Sequence, residues 1–366
     1  MSPSSYFAQS YGEARDKFLA AAAARGARTS RHVHPSERGA RGEELSIDLA
    51  EIGDERSQAL LLLSSGTHGV EGFCGSGCQV ALLRDEAFVG AVSRSGVAVL
   101  MLHALNPYGF SHLRRANEDN ADLNRNFVDF TRPLPATPAY AEIHPLLLPA
   151  TWPAPDDTEA RLHAWIKAHG EKAFQAAVSG GQYSHPDGMF YGGSEPSWSN
   201  ASLRAVLRAR ASPRQRLGWI DFHTGLGPRG HGEMIYSGRD DRAAVARTRA
   251  WWGEAVTSFF DGSSTSAHVT GIITDAGGSE CPNTEMTAMA LEYGTYPLAH
   301  TLQALRAEHW LHNHPDAPVP QREAIKRGIR DTFYIDADDW KAAVCEQARA
   351  ACLKALAALA PAAVHS

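Results

Sequence analysis

Apolar runs and mixed stretches alternate along this chain, and their periods separate strands from helices. The segment "ELSIDLAEIG" (44–53) alternates like a strand edge, and the four leucines that follow, stopped by small residues, predict a buried strand over 59–65. "GVAVLMLHALNPYG" (96–109) predicts the next buried strand, and its Asn-Pro-Tyr-Gly exit is strong turn chemistry. Further strands are predicted at 217–225, 232–238, 268–278 and 286–295. Helices are predicted at 5–25 and from about 73 to 84. The Ala-rich tail 336–360 forms another, with apolar spacing suited to packing on the body, a dimer contact being the alternative. This alternation argues an α/β fold with a mixed, mostly parallel central sheet covered by helices on both faces.

The stretch 131–200 differs, being rich in Pro, Trp, His and Gly with one helical piece near 157–178. It reads as an insertion over the core, a wall or lid of a cleft, within a single catalytic domain spanning 1–366. No internal repeat or long disordered linker interrupts the pattern.

Composition narrows the partners. The 366 residues are 43% apolar and 21% charged, normal for a globular chain with a sizeable core. A formal charge of −6 without a long Lys/Arg run lacks the footprint of a nucleic-acid binder. No window offers 18 consecutive apolar residues, and the N-terminal stretch mixes Glu, Arg, Asp and Lys into its alanines, unlike a secretory signal. A soluble cytoplasmic protein without a membrane partner is expected. The five cysteines (74, 78, 281, 345 and 352) are odd in number and lack a C-x-x-C pair, so no disulfide framework is expected. Cys74 and Cys78, four apart on a predicted helix, read as apolar packing.

The chemistry gathers where strands end. His68 and Glu71 stand three residues apart in "GTHGVEG", in a loop of the kind that carries function in open α/β sheets. Alone, H-x-x-E is weak, because a loop His near a Glu is more often a hydrogen-bonded pair. A catalytic zinc needs three protein ligands and an open position, and His223 in "WIDFHTGLG" offers a third at another strand end. Glu292 in "ALEYGT" is an acid at the margin of an apolar strand, read as either functional or salt-bridged to an arginine. Between them, "RRANEDNADLNRNF" (114–127) is either a polar loop bonding itself or a pair of Arg sites for carboxylate and oxyanion recognition.

Taken together and in this order, the motifs resemble the zinc metallocarboxypeptidases and their aspartoacylase and succinylglutamate desuccinylase relatives. The resemblance covers roughly 40–315 and is nearest to an uncharacterised bacterial branch sharing "GTHGVEG", "DLNRNF", "DFHTGLG" and "LEYGT". It implies a zinc carboxypeptidase-like fold with one Zn2+ per chain held by His68, Glu71 and His223, water completing the set. Glu292 would be the general base and Arg115, rather than its neighbour Arg114, the oxyanion stabiliser. Asn124 and Arg125 would grip a free α-carboxylate of the substrate, and Asp221 is either a partner behind His223 or only a strand-end acid. The sequence departs from the family at a mobile tyrosine four residues before a Gly-Gly pair, where Ile273 stands; Tyr293, Tyr296 and Tyr191 are the substitutes. On the same alignment Glu280 either lines the specificity pocket, which predicts a preference for Lys or Arg products, or lies in solvent or against a neighbouring loop. His144, His163, His169 and His185 of the insertion read as surface or loop residues, while His103, His112 and His231 are candidates for supporting donors or misassigned ligands.

The expected function is zinc-dependent amide hydrolysis of carboxypeptidase type on a small peptide or peptide-like substrate. The alternatives are an N-acyl amino acid deacylase and a non-catalytic binding module of the same fold.

Overall fold

The buried runs lie side by side at the centre of one sheet. In the computed structural model, which describes residues 2–361, the strands are β1 (Arg28–Arg38), β2 (Glu44–Ile52), β3 (Ala59–Ser64), β4 (Ala98–His103), β5 (Arg216–Thr224), β6 (Gly232–Tyr236) and β7 (Glu285–Tyr293). Their order is β1-β2-β4-β3-β5-β7-β6. The inner four, β4, β3, β5 and β7, are parallel, and β1, β2 and β6 join antiparallel at the two edges.

Helices cover both faces. They are α1 (Tyr11–Ala24), α2 (Gly72–Arg84), α3 (Glu86–Ser95), α4 (Pro107–Ser111), α5 (Pro138–Leu147), α6 (Asp156–His169), α7 (Glu171–Ser179), α8 (Trp198–Val206), α9 (Arg242–Trp252), α10 (Asp275–Glu280), α11 (Leu298–Asn313), α12 (Val319–Phe333) and α13 (Asp338–Leu359). The leucine run of β3 serves both layers by its period of two. Leu61 and Leu63 join the larger core, with Phe18 of α1, Phe73 of α2 and Leu356 of α13. Leu60 and Leu62 join the second core, with Leu203 of α8 and Ala276 of α10. A strand buried on both faces has no polar side, which is why these segments read as continuous apolar runs.

Four expectations are corrected. The segment 268–278 forms no strand, because its backbone bonds elsewhere: Phe127 donates to the Gly271 carbonyl at 3.1 Å and Thr270 to that of Gly180 at 3.2 Å. The Gly-Gly pair that follows lies in α10. The helical piece near 157–178 is two helices, α6 and α7, parted at Gly170, and α5 and α8 add further helix to the stretch 131–200. The first long helix starts at Tyr11, where the Ser10 side chain accepts from the Glu13 backbone N–H at 3.2 Å. Lastly, β1 escaped notice, since its charged, largely exposed sequence suits an edge strand and carries no buried pattern.

Candidate metal centre

β3 has its successor β4 on one side and β5 on the other, so the chain reverses direction across the sheet between β3 and β5. In open α/β sheets such a crevice, at the carboxyl ends of the strands, is where ligands bind. His68 and Glu71 follow the end of β3, while His223 and Glu292 are the penultimate residues of β5 and β7. The H-x-x-E loop lies directly on the Asn-Pro-Tyr-Gly turn. Val70 and Gly69 donate to the carbonyls of Arg114 and Arg115 at 2.8 and 3.2 Å. A Cβ at Gly69 would stand 2.1 Å from the carbonyl carbon of Gly109, so a side chain there would push the loop off its seat.

Three side chains converge in that crevice. His68 Nδ1 lies 3.2 Å from His223 Nδ1 and 2.9 Å from Glu71 Oε1, and His223 Nδ1 lies 3.1 Å from Glu71 Oε2. Ligand atoms about 2.0–2.2 Å from a tetrahedral zinc sit roughly 3.3–3.6 Å apart; the spacings here are a few tenths of an ångström shorter, so a small outward shift of the three side chains would admit one shared ion. All three residues are buried, and among the described residues they are the group of His, Cys, Asp or Glu whose ligand atoms gather within 4.8 Å.

The far nitrogens decide the tautomers. His68 Nε2 meets Asp122 Oδ1 at 3.1 Å, and His223 Nε2 meets Asp221 Oδ2. Asp221 holds the proton on Nε2 of His223 and leaves its Nδ1 lone pair for a cation, whereas His68 Nε2 stands between Asp122 Oδ1 and, at 2.7 Å, Nη2 of Arg115. Two ring nitrogens and a carboxylate gathered at one point are the N and O donors of a divalent metal, so the donor set fits such an ion. Asp221 is itself held by Ser64 Oγ at 2.6 Å and Thr67 Oγ1 at 2.9 Å, which places it behind His223 rather than idle at the strand end. Burial would raise the Glu71 carboxyl, but where no metal is bound and the rings carry protons toward it, the charge of His68 and hydrogen bonds from both histidines hold it below the usual carboxylate range. The Thr224 backbone N–H, 3.1 Å from Oε2, aims it further.

Glu292 stands directly opposite His223 in the parallel pairing of β7 with β5. Its Oε1 accepts the backbone N–H of Leu226 at 3.0 Å. No ion pair reaches it among the described residues, so the salt-bridge reading is not what holds it there. Burial, and then the charge of Glu71, push its carboxyl up to about 8. A carboxylate kept near neutrality in a cleft is suited to proton transfer.

The arginines of this stretch differ in their surroundings. Arg114 is buried in structure, its Nε on Glu308 Oε1 at 2.7 Å and its Nη2 on Asn120 Oδ1 at 2.7 Å. Arg115 faces the centre, with Nε on Asp122 Oδ2 at 2.9 Å and Nη1 on Glu71 Oε1 at 3.1 Å. Arg125 is fixed through carbonyls: Nε and Nη2 donate to Ser179 O at 3.0 and 2.6 Å, and Nη1 to Asn124 O at 2.7 Å. Three of its five N–H groups are thus used for positioning, leaving two for a ligand. A Cβ on Gly181 would come within 2.8 Å of Arg125 Cδ, and its backbone has φ +102°, so only glycine leaves the guanidinium stem its place. Asn124 Oδ1 accepts from the Ile273 N–H at 3.0 Å, which leaves its amide nitrogen as the end available to a carboxylate.

These groups open into a cavity of about 650 Å³ lined by His68, Arg115, Asn124, Arg125, His223 and Glu292, with walls from α6, α7 and α11. Glu280 is not there. It lies at the end of α10, paired with Arg204 and Arg208 at 2.7 Å each, because the Gly-Gly pair used to align it sits in that helix rather than beside the cleft. The three substitute tyrosines are also elsewhere: Tyr293 is fully buried with its hydroxyl on Val344 O, Tyr296 stacks on His300, and Tyr191 is buried outside the cavity lining. Tyr236 is the tyrosine that lines the cavity, and its hydroxyl donates to Arg239 O at 2.8 Å. Of the additional histidines weighed, only His163 lines the cavity among the described residues; His103 is buried against Phe18.

Two functional residues went unnoticed in the sequence. Asp122 was legible inside "DLNRN", where it stands as an acid flanking the arginine sites, but its pairing with His68 needed the fold. Phe190, whose ring lies 5.0 Å beneath the Arg115 guanidinium and 5.8 Å from that of Arg125, carries no sequence signal at all.

The chain is similar to the carboxypeptidase A of Helicoverpa armigera, with 12% identity, 94% of this chain and 74% of that one covered, and a TM-score of 0.45. It is also similar to bovine thrombin-activatable fibrinolysis inhibitor, seen in complex with a tick carboxypeptidase inhibitor, at 12% identity, 96% of each chain and a TM-score of 0.47. An aspartoacylase family protein of Mesorhizobium loti gives 15% identity, 78% of this chain, 66% of that one and a TM-score of 0.36. No curated protein matches the chain. The sequence profile of one family does match, over residues 7–347, and the chain therefore belongs to the family described as "Protein of unknown function (DUF2817)".

Proposed function

We propose that this protein is a zinc-dependent amide hydrolase of carboxypeptidase type, acting on a small peptide or peptide-like substrate with a free carboxylate. The observation that carries the reading is the convergence of His68 Nδ1, His223 Nδ1 and the Glu71 carboxylate, with Glu292 opposite His223 on the neighbouring strand.

His68, Glu71 and His223 would hold one Zn2+ per chain, and Asp122 and Asp221 would keep the two rings turned toward it. When bound, such an ion lowers the pKa of water toward about 7 and polarises a carbonyl. Glu292 accepts the proton of the attacking water and passes it to the leaving amine. Arg115, kept cationic by Asp122 and Glu71, faces the carbonyl oxygen as negative charge develops on it. Asn124 and the two remaining N–H groups of Arg125 receive the substrate carboxylate.

The same groups serve an N-acyl amino acid, which also presents an amide beside a carboxylate. Incubating the zinc-loaded protein with a mixed library of peptides and N-acyl amino acids, with consumed species identified by mass spectrometry, tests the reading. Release of a C-terminal residue is the expected result. Release of an acyl group alone would make the protein a deacylase, and no turnover of either kind would favour a binding module.

A further inference from the structure

The cavity is larger than the centre needs, and its outer walls repeat one pattern. In α6 the cavity-lining positions are Glu159, Leu162, His163 and Ile166, which run i, i+3, i+4, i+7; in α7 they are Glu171, Phe174, Gln175 and Val178, with the same spacing, joined by Lys172 and Ser179 at the edges of that face. Within each set the apolar pair is four residues apart, so Leu162 with Ile166 and Phe174 with Val178 form two adjacent apolar strips. α11, joined to α6 by the Arg306–Glu159 ion pair, contributes Leu298 and Leu302, again four apart. Leu298 keeps 50% of its surface exposed.

The charges in these walls are already balanced. Glu159 pairs with Arg306 at 2.8 Å, and Arg306 is fully buried, donating also to the carbonyls of Leu146 and Leu147. Glu171 and Lys172 are adjacent, exposed and opposite in sign. The acid that would have welcomed a cationic side chain, Glu280, is bound to two arginines outside the cavity.

The apolar strip is tied to the carboxylate grip. Ser179, the last residue of α7, accepts two N–H groups of Arg125 through its carbonyl. Val178 is its neighbour and Phe174 is one turn, about 6 Å, further up the helix. A carboxylate on Arg125 therefore lies within one residue's reach of the Phe174–Val178 strip.

From this we propose that the cavity selects substrates whose carboxylate-bearing residue has a large apolar side chain, aromatic or branched aliphatic, with α6, α7 and α11 supplying the selecting wall. The inference rests on the carboxypeptidase reading for its chemistry, but the recognition itself is independent of turnover.

Two measurements on the zinc-loaded full chain test it. In the first, kcat/KM is compared for N-blocked dipeptides ending in Phe, Leu or Lys, alongside an acyl series in which only the acyl chain lengthens before a terminal alanine. The expected result is a preference of about 10- to 100-fold for Phe or Leu over Lys, the range one apolar pocket supplies. Equal rates overturn the inference while leaving the reading intact, and a preference confined to the acyl series overturns it by moving the apolar group across the amide. No hydrolysis in any series counts against the proposed function alone.

The second measurement separates the two failures. Calorimetric binding of 3-phenylpropionate and 4-methylpentanoate should be at least tenfold tighter than that of 6-aminohexanoate, and equal affinities overturn the inference whether or not hydrolysis is seen. Phe174→Glu should reverse the order of the phenyl and ammonium ligands. Leu302→Glu, in α11, is a second variant in case α7 does not tolerate the change. An unaltered order in a variant that keeps its circular dichroism spectrum overturns the assignment of the wall.

Discussion

His223 and Glu292 face each other across adjacent parallel strands, 69 residues apart in sequence yet paired in register. The pairing puts a ring nitrogen that suits a metal next to a buried acid raised to about 8. Glu292→Gln should keep zinc and fold while lowering kcat by about 10²- to 10⁴-fold, the usual scale of a positioned general base. Metal analysis with steady-state kinetics checks this. Loss of zinc in place of loss of rate would assign Glu292 to the ligand set.

The same acid predicts a pH effect in the metal-free protein. Its folded pKa lies above the unfolded value of about 4.3, so the folded chain holds this proton where the unfolded chain has released it. Stability from this group is therefore full below the unfolded value and falls as pH rises toward 8. Glu292→Gln should raise the melting temperature of metal-free protein more at pH 8 than at pH 5. Equal gains at both would show that Glu292 does not titrate as described.

The carboxylates behind the rings should tune metal affinity. Asp221→Asn and Asp122→Asn are each expected to weaken zinc binding about 10- to 100-fold, by competition against a chelator, while His223→Ala loses most of it. Full occupancy in His223→Ala would remove that residue from the ligand set.

Arg125→Ala should raise KM steeply for substrates with a free α-carboxylate, because truncating one partner of a buried, charge-assisted contact costs about 2–5 kcal/mol. Amidated substrates should change little. Comparable losses for both would mean that this guanidinium does not read the carboxylate.

A stability prediction concerns Glu308, fully buried between Arg114 at 2.7 Å and Lys326 at 2.8 Å. Glu308→Gln leaves both cations without their counter-charge, at a cost of about 3–5 kcal/mol, read as a lower urea midpoint with unchanged m. Burial raises this carboxyl, but Arg114 and Lys326 outweigh it and hold it below the usual range. Its stabilisation is therefore present above the unfolded pKa and lost as pH falls through the folded one, so the parent and the variant should converge in acid. A gap that stays constant down to pH 3 would contradict the pairing.

Much of this was legible along the chain, for a definable reason. The inner strands are buried on both faces, and a segment with no polar side announces itself as an apolar run bounded by turn residues. The groups of the candidate site sit at or just beyond the ends of those runs, so His68, Glu71, His223 and Glu292 could be found as polar residues where the apolar signal stops. Residues read through a single local alignment fared differently. Glu280 went astray because the segment before it spends its backbone hydrogen bonds on the loop around Asn124 and Arg125 instead of on a strand ladder.

By itself, then, the sequence determined the alternating α/β layout, the central apolar strands and the types of group at their carboxyl ends, because burial and turn chemistry act on neighbours in the chain. Only the tertiary structure decided which of those groups meet. Strand order sets His223 beside Glu292, and ring orientation sets Asp122 and Asp221 behind the two histidines. The packing of α6 and α7 over the crevice turns two amphipathic faces, indistinguishable in sequence from core-packing ones, into the wall of a cavity. Contacts between distant segments depend on how the chain crosses the sheet, and no local period encodes that.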